Sequence, residues 1–313
     1  MDPHTLPEQE CQRKRQWRSG ALRACLFFCL LLLPLLSGEC FIRHQPNASK
    51  AKHEHLLQHS REVDVLVLGS SHTYYGIAPE LLSPKAYSAA QVSQTLRYDD
   101  YLLHHYPFDH LEWVIVPISD FSLYEELEDG PSWFLANRYR IYMDCDIHSR
   151  LSVYGWEVTA FRSYCSKLHQ LWEKPRMQWS RWGQGLEYTV ANKPADWDNG
   201  EQRAAQNAYT DFSHAPEAMA HLENIARFCC ARHARLLLVS TPLRESYRRC
   251  QRPDQLADTG KRISRFLRQH QQCRYLDFRK DPSFTADDFY DSDHLTTRGA
   301  AKLTRRVRQE MDD

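Results

Sequence analysis

Ser71, Asp291 and His294 are the residues of this 313-residue chain whose types and places could together carry nucleophilic chemistry. Ser71 ends the block Gly69-Ser70-Ser71, which directly follows the apolar run Val63-Asp64-Val65-Leu66-Val67-Leu68. Such a run reads as a strand buried on both faces, and a glycine at its carboxyl end lets the chain bend toward a helix. A hydroxyl just after the bend faces the crevice above the sheet, beside the N–H groups of the next helix. A serine nucleophile needs a base, and Phe289-Tyr290-Asp291-Ser292-Asp293-His294 supplies one. Asp291 and His294 are three residues apart, so the carboxylate can accept from one ring nitrogen while the other faces the serine. Asp293 is the second carboxylate that could orient the ring. His72 is a poor base for Ser71, because adjacent residues rarely present their side chains to each other. Taken alone, Ser71 would be a loop hydroxyl capping the following helix; the distant Asp-x-x-His is what argues for a triad.

These two blocks resemble those of the SGNH/GDSL hydrolase superfamily, in which Gly-Asp-Ser follows the first strand and Asp-x-x-His precedes the final helix. The resemblance spans about residues 60–310. It implies an α/β three-layer sandwich with a five-stranded parallel sheet of flavodoxin-like order 2-1-3-4-5, and serine esterase or O-acyltransferase activity. The family places a Gly after the second strand and Gly-x-Asn after the third as oxyanion donors. Here Tyr87-Ser88-Ala89-Ala90-Gln91 and Pro117-Ile118-Ser119-Asp120 stand at those places. The resemblance therefore assigns the oxyanion role to N–H groups near Ser71 and Ala90, helped by the Ser119 hydroxyl; losing one such donor costs about 2.7–4 kcal/mol of transition-state stabilisation.

Further elements must bring residues 71 and 294 to one edge. Lys85–Ser88, Trp113–Ile118, Ala234–Ser240 and Arg274–Phe278 read as the remaining strands. Helices are expected at about 90–105, 215–234, 254–270 and 296–309, the first with Gln91, Gln94, Tyr98 and Tyr101 near one face. Strands alternating with helices imply a parallel sheet with right-handed crossovers. Residues 130–210 exceed what such a domain needs. They carry Trp133, Trp156, Trp172, Trp179, Trp182 and Trp197, with Tyr139, Tyr142, Tyr154, Tyr164 and Tyr188 between them. Rings of this kind either build the insertion's own core or line a substrate groove at the active-site edge, apart from the catalytic machinery.

The first 60 residues stand outside that domain. Residues 1–23 form a basic tail with Arg13, Lys14, Arg15, Arg18 and Arg23, and residues 24–38 hold the apolar run Ala24–Leu36. This order is that of a signal anchor or a signal peptide with the positive end in the cytoplasm. Thirteen apolar residues are fewer than the roughly 20 of a typical span, yet Leu36-Ser37-Gly38 makes a poor cleavage site, which favours an uncleaved anchor. Residues 39–60 read as a polar stalk leading into the domain at 61–313. His44, His53, His55 and His59 lie in it, but His53-Glu54-His55 lacks i,i+4 geometry with a clear third ligand, so no metal is assigned. Asn47-Ala48-Ser49 is a glycosylation sequon in a eukaryotic setting.

Forty basic and forty acidic residues cancel, which argues against a nucleic-acid binder. Ten cysteines include seven outside the N-terminal segment, an odd number with no zinc spacing. Cys250 and Cys273 flank one expected helix and form the candidate disulfide; buried free thiols are expected for most of the others.

The expected function is acyl transfer by Ser71, Asp291 and His294 without a cofactor, in a membrane-anchored, extracytoplasmic protein. The compartment would be the periplasm or cell surface if the source is bacterial. Anchored relatives in alginate acetylation and teichoic acid alanylation imply an acylated glycan or acyl donor as substrate, and a membrane-bound acyltransferase as partner. The alternative is a catalytically degenerate domain that binds a glycan or a membrane complex, motivated by the absent Gly and Asn of the middle blocks.

Overall fold

Five short strands make one all-parallel sheet in the computed structural model, which describes residues 5–147, 155–170 and 178–312. They are β1 Val65–Val67, β2 Tyr87–Ser88, β3 Trp113–Pro117, β4 Arg235–Ser240 and β5 Cys273–Asp277, in the order β2-β1-β3-β4-β5. The register sets Leu66 beside Tyr87 and Val114, and Val114 beside Leu236. Side chains alternate along each strand and both faces are covered, which is why β1 and β3 are apolar throughout. Leu66, Val114, Val116, Leu236 and Leu238 enter one core; Val65, Val67, Ile115, Leu237 and Val239 enter the other.

The helices, in chain order, begin with α1 Thr5–His44, α2 Ala48–His59, α3 Ser71–Gly76 and α4 Leu96–His105. Next come α5 Asn137–Tyr142, α6 Phe161–Gln170, α7 Gly200–Gln206 and α8 Ala215–Ala231. The last are α9 Glu245–Arg248, α10 Pro253–Gln269 and α11 Thr297–Asp312. The first core takes Leu102 of α4, Ile225 of α8 and Phe266 of α10; the second takes Leu303 and Val307 of α11. The helix expected from residue 90 starts only at Leu96. Ser93 has φ 57°, a left-handed turn that a helix cannot contain, so Gln91 and Gln94 lie in the loop ahead of α4.

By its contacts the chain divides into two units. One joins α1 to residues 156–170. The stretch Arg13–His44 is long and apolar enough to cross a membrane or to act as a signal, and Leu26, Phe27 and Leu30 are exposed on it. α1 passes residue 38 and ends just before Gln45-Pro46, where proline disfavours helix in the residue preceding it. Its Glu39 carboxylate accepts the N–H groups of Glu157 and Val158, both at 2.9 Å, and Leu35 O accepts the Tyr164 hydroxyl at 2.8 Å. Gly38 makes this fit: a Cβ there would lie 2.0 Å from the Tyr164 oxygen. Part of the aromatic-rich insertion thus belongs with the apolar helix.

The other unit holds the sheet and begins earlier than expected. The segment read as a polar stalk contains α2, which buries Lys52 and Leu56 completely. Lys52 Nζ donates to Ser88 O at 2.5 Å and to Gly183 O, above the Tyr74 ring. His53 bonds the Tyr106 hydroxyl at 2.7 Å and His55 stacks on Tyr87. With only Leu56 as a buried apolar anchor, this helix carries almost no apolar periodicity, and its polar side chains conceal its packing. The expected Cys250–Cys273 bridge is also corrected. Both thiols are free. They lie beyond opposite ends of the 17-residue α10, which spans about 25 Å, whereas disulfide-bonded Cα atoms stand roughly 4.4–6.8 Å apart. Cys145, Cys229 and Cys273 are buried thiols; Cys40, Cys165, Cys230 and Cys250 are exposed.

Candidate active site

The turn after β1 is built for close approach. Gly69 has φ 102°, and a Cβ on it would lie 2.1 Å from the ring of Pro117 on β3. Its N–H donates to Asp99 Oδ1 at 2.7 Å, which also accepts Gln94 Nε2 at 2.6 Å. Ser70 then caps α3, accepting the His72 N–H on its hydroxyl at 3.4 Å. Ser71 is therefore the first residue of that helix and is half-buried.

The second block is folded by its own carboxylate. Asp291 Oδ1 accepts the N–H groups of Asp293 at 3.0 Å and His294 at 2.7 Å. Tyr290 N–H donates to His294 O at 2.9 Å, closing the loop ahead of α11. In this loop the Asp291 oxygens sit 2.9 and 3.0 Å from His294 Nδ1, and His294 Nε2 reaches Ser71 Oγ at 2.8 Å. The structure thus brings Ser71, Asp291 and His294 into one hydrogen-bonded line.

Asp293 lies on the same side. Its Oδ1 is 3.4 Å from His294 Nδ1, farther than Asp291, so it acts on the ring through charge more than through a hydrogen bond. Both its oxygens are taken by Arg203 of α7, at 2.8 and 2.9 Å, and Asn207 approaches Oδ2 at 3.3 Å. Its Oδ2 also lies 3.3 Å from His72 Nε2. His72 turns away from Ser71: its Nδ1 meets the Ser119 hydroxyl. The Asp293 charge favours the tautomer with the proton on His72 Nε2, which leaves Nδ1 to accept from Ser119.

Charge follows this geometry. Burial opposes a charge on His294, but Asp293 and Asp291 outweigh it and push the imidazole up to about 9. Burial likewise opposes the Asp293 charge, while His294, His72 and Arg203 hold the carboxyl well below its usual range. His72 is shifted downward, chiefly by burial, against the pull of Asp293.

The expected oxyanion groups have different settings. Among the described residues, neither the Ser71 N–H nor the Ala90 N–H is donated to another group. Ala90 is buried against Tyr74 and Tyr75. Ser119 has its N–H on Ser122 Oγ at 2.9 Å and its own hydroxyl engaged by His72.

Aromatic rings wall the histidine. Tyr188 stacks on Tyr75 and on Tyr290 at 3.8 Å each, with its ring centre 5.5 Å from that of His294. Of the expected aromatics, Trp197 packs on the second core between Lys193 and Arg244, and Trp182 pairs with Arg181. Trp172 and Tyr154 lie outside the described residues. The ligand atoms of His72, Asp293 and His294 lie within 4.8 Å of one another, a metal-like spacing. The Arg203 guanidinium on both oxygens of Asp293 opposes a cation there.

Arg203, Asn207 and Asp99 escaped the sequence reading. The one signal for Arg203 is a charge near Gly200 in a segment read as either insertion core or substrate groove, with no spacing that ties it to residue 293. Compared with known proteins, the chain matches no family model and no curated protein.

Proposed function

We propose that this chain is a serine acyl-transfer enzyme of the SGNH/GDSL type, an esterase or O-acyltransferase acting on an acylated cell-envelope or secreted polysaccharide. The observation that carries the reading is the line Ser71 Oγ to His294 Nε2 at 2.8 Å, with Asp291 on the other ring nitrogen at 2.9 Å. In this reaction the Ser71 proton passes to His294 Nε2 as Oγ bonds to an ester carbonyl carbon. The oxyanion forms against the N–H groups of Ser71 and Ala90. Collapse breaks the bond to the leaving alcohol, which takes the proton back from His294. Water or a sugar hydroxyl then resolves the acyl-serine by the same steps.

The parallel sheet with cores on both faces is consistent with the flavodoxin-like sandwich of that superfamily. An apolar run preceded, in the same helix, by Arg13, Lys14, Arg15 and Arg18 supports an anchored protein with its domain outside the cytoplasm. The glycan substrate and a membrane-bound acyltransferase partner rest on the resemblance to anchored polysaccharide-modifying proteins.

A second reading, a binding domain without turnover, is favoured by one observation. The Ser119 hydroxyl is committed to His72 and does not serve as the donor that the family's Asn supplies. Labelling of the full chain with a fluorophosphonate separates the two. The enzyme reading expects a covalent adduct on Ser71, found by mass spectrometry and absent from Ser71→Ala. An unlabelled, folded wild-type chain would leave the binding reading.

A further inference from the structure

We propose that Arg203 is a positioning residue for the acyl-transfer site: by neutralising the buried Asp293, it keeps His294 closer to the neutral form that can accept the Ser71 proton. The inference rests on the acyl-transfer reading of Ser71, Asp291 and His294.

A Ser–His–Asp line needs one carboxylate, and Asp291 fills that place. Asp293 is a second carboxylate, fully buried and also near Nδ1 of the same ring. Left alone, it would bind the imidazolium tightly and hold the base in its inactive, protonated state, because two negative charges at short range in a buried site favour the cation. Arg203 meets this carboxylate with a two-point clamp from a helix 90 residues away in sequence. Planar, permanently charged and matched to both oxygens, a guanidinium is the side chain suited to cancel that charge.

The groups facing His294 can be counted. Asp291 and Asp293 come from its own loop, with Tyr290 beyond Tyr188. Ser71, His72 and Tyr75 come from α3, and Tyr188 from the segment before α7. Arg203 stands behind Asp293, where Asn207 links Asp293 to the Tyr247 hydroxyl. With both imidazoles neutral, this set carries two negative charges and one positive. Protonating His294 balances it, in keeping with the upward shift of that ring to about 9. Removing Arg203 leaves one more uncompensated negative charge and drives the shift further. Arg203 sets the size of this effect without touching the reacting atoms.

The test is the pH profile of fluorophosphonate labelling at Ser71 in the full-length chain, for wild type, Arg203→Gln, Asp293→Asn and the double variant. The rate requires neutral His294, so its acid limb reports that ring. Arg203→Gln is expected to move the limb up by about one pH unit or more, slowing labelling roughly tenfold at pH 7. Asp293→Asn is expected to move it down. The double variant should fall below Arg203→Gln, because the carboxylate that Arg203 opposes is gone. A lower plateau with an unmoved limb in Arg203→Gln would mean a merely structural residue and overturn the proposal. If Arg203→Gln does not fold, an unmoved limb in Asp293→Asn overturns it equally. A folded wild type that does not label at Ser71 defeats the acyl-transfer reading itself, and the proposal with it.

Discussion

Asp99 accepts the N–H of Gly69 at 2.7 Å, so a buried carboxylate at the start of α4 holds the turn on which Ser71 stands. The same oxygen, Oδ1, accepts Gln94 Nε2. Burial pushes the Asp99 carboxyl up to about 7, against the lowering effect of these two hydrogen bonds. Neither bond needs the second oxygen, and a protonated carboxyl or a carboxamide can accept both.

Asp99 therefore gives stability a defined pH trend. Its folded value lies above the unfolded one, so its contribution is complete below about pH 4 and is lost as the pH rises through about 7. Asp99→Asn should remove that decline, and the variant should match or exceed wild type at pH 8 in urea unfolding. Asp99→Ala leaves the Gly69 N–H and Gln94 without their acceptor and should cost about 1–3 kcal/mol at every pH. Equal pH slopes in wild type and Asp99→Asn would remove Asp99 from this role.

Gly69→Ala combines two penalties. The residue would sit at φ 102°, a conformation costing an L side chain about 1–3 kcal/mol, and its Cβ would fall 2.1 Å from Pro117 Cδ. Pro117 is held in β3, paired to Val239 of β4, and cannot yield without disturbing the sheet. We expect a fall in Tm and loss of Ser71 labelling even in chains that stay folded, because the turn aims the Ser71 side chain. A variant with wild-type Tm and labelling rate would show that the turn tolerates a side chain.

The parts that could be read from sequence are those with a period or a fixed local spacing. β3 and β4 are apolar runs on both faces, and Asp291 and His294 are three residues apart in a loop whose own carboxylate folds it. α2 escaped because a polar helix with one buried leucine and one buried lysine has no visible stripe. Asp99, Arg203 and Asn207 escaped for a different reason. Each acts on the site through a residue 30 or more positions away, and nothing near it in sequence marks that partner. In the sequence His72 stands beside Ser71; its partners, Ser119 and Asp293, become visible once β3 and the loop ahead of α11 meet.

The insertion reaches His294 through Tyr188, which bears on the substrate reading of that segment. Tyr188 lies between Tyr75 and Tyr290 with both rings at 3.8 Å, while its face-to-edge approach to His294 fixes one side of the imidazole. Stacked aromatic pairs contribute about 0.5–1.5 kcal/mol each beyond their buried area. Tyr188→Ala loses two of them and frees the ring that must point at Ser71. The expected result is a fall in labelling by a small fluorophosphonate of about tenfold, since a base misplaced by 1 Å can cost up to roughly a hundredfold. Tyr188→Phe, which keeps the stack, should stay within about twofold of wild type on the same reasoning. Trp197→Ala, which alters the second core instead, should change Tm more than rate. A Tyr188→Ala chain that labels like wild type while losing only polymeric substrate would return this residue to a substrate wall with no part in holding His294.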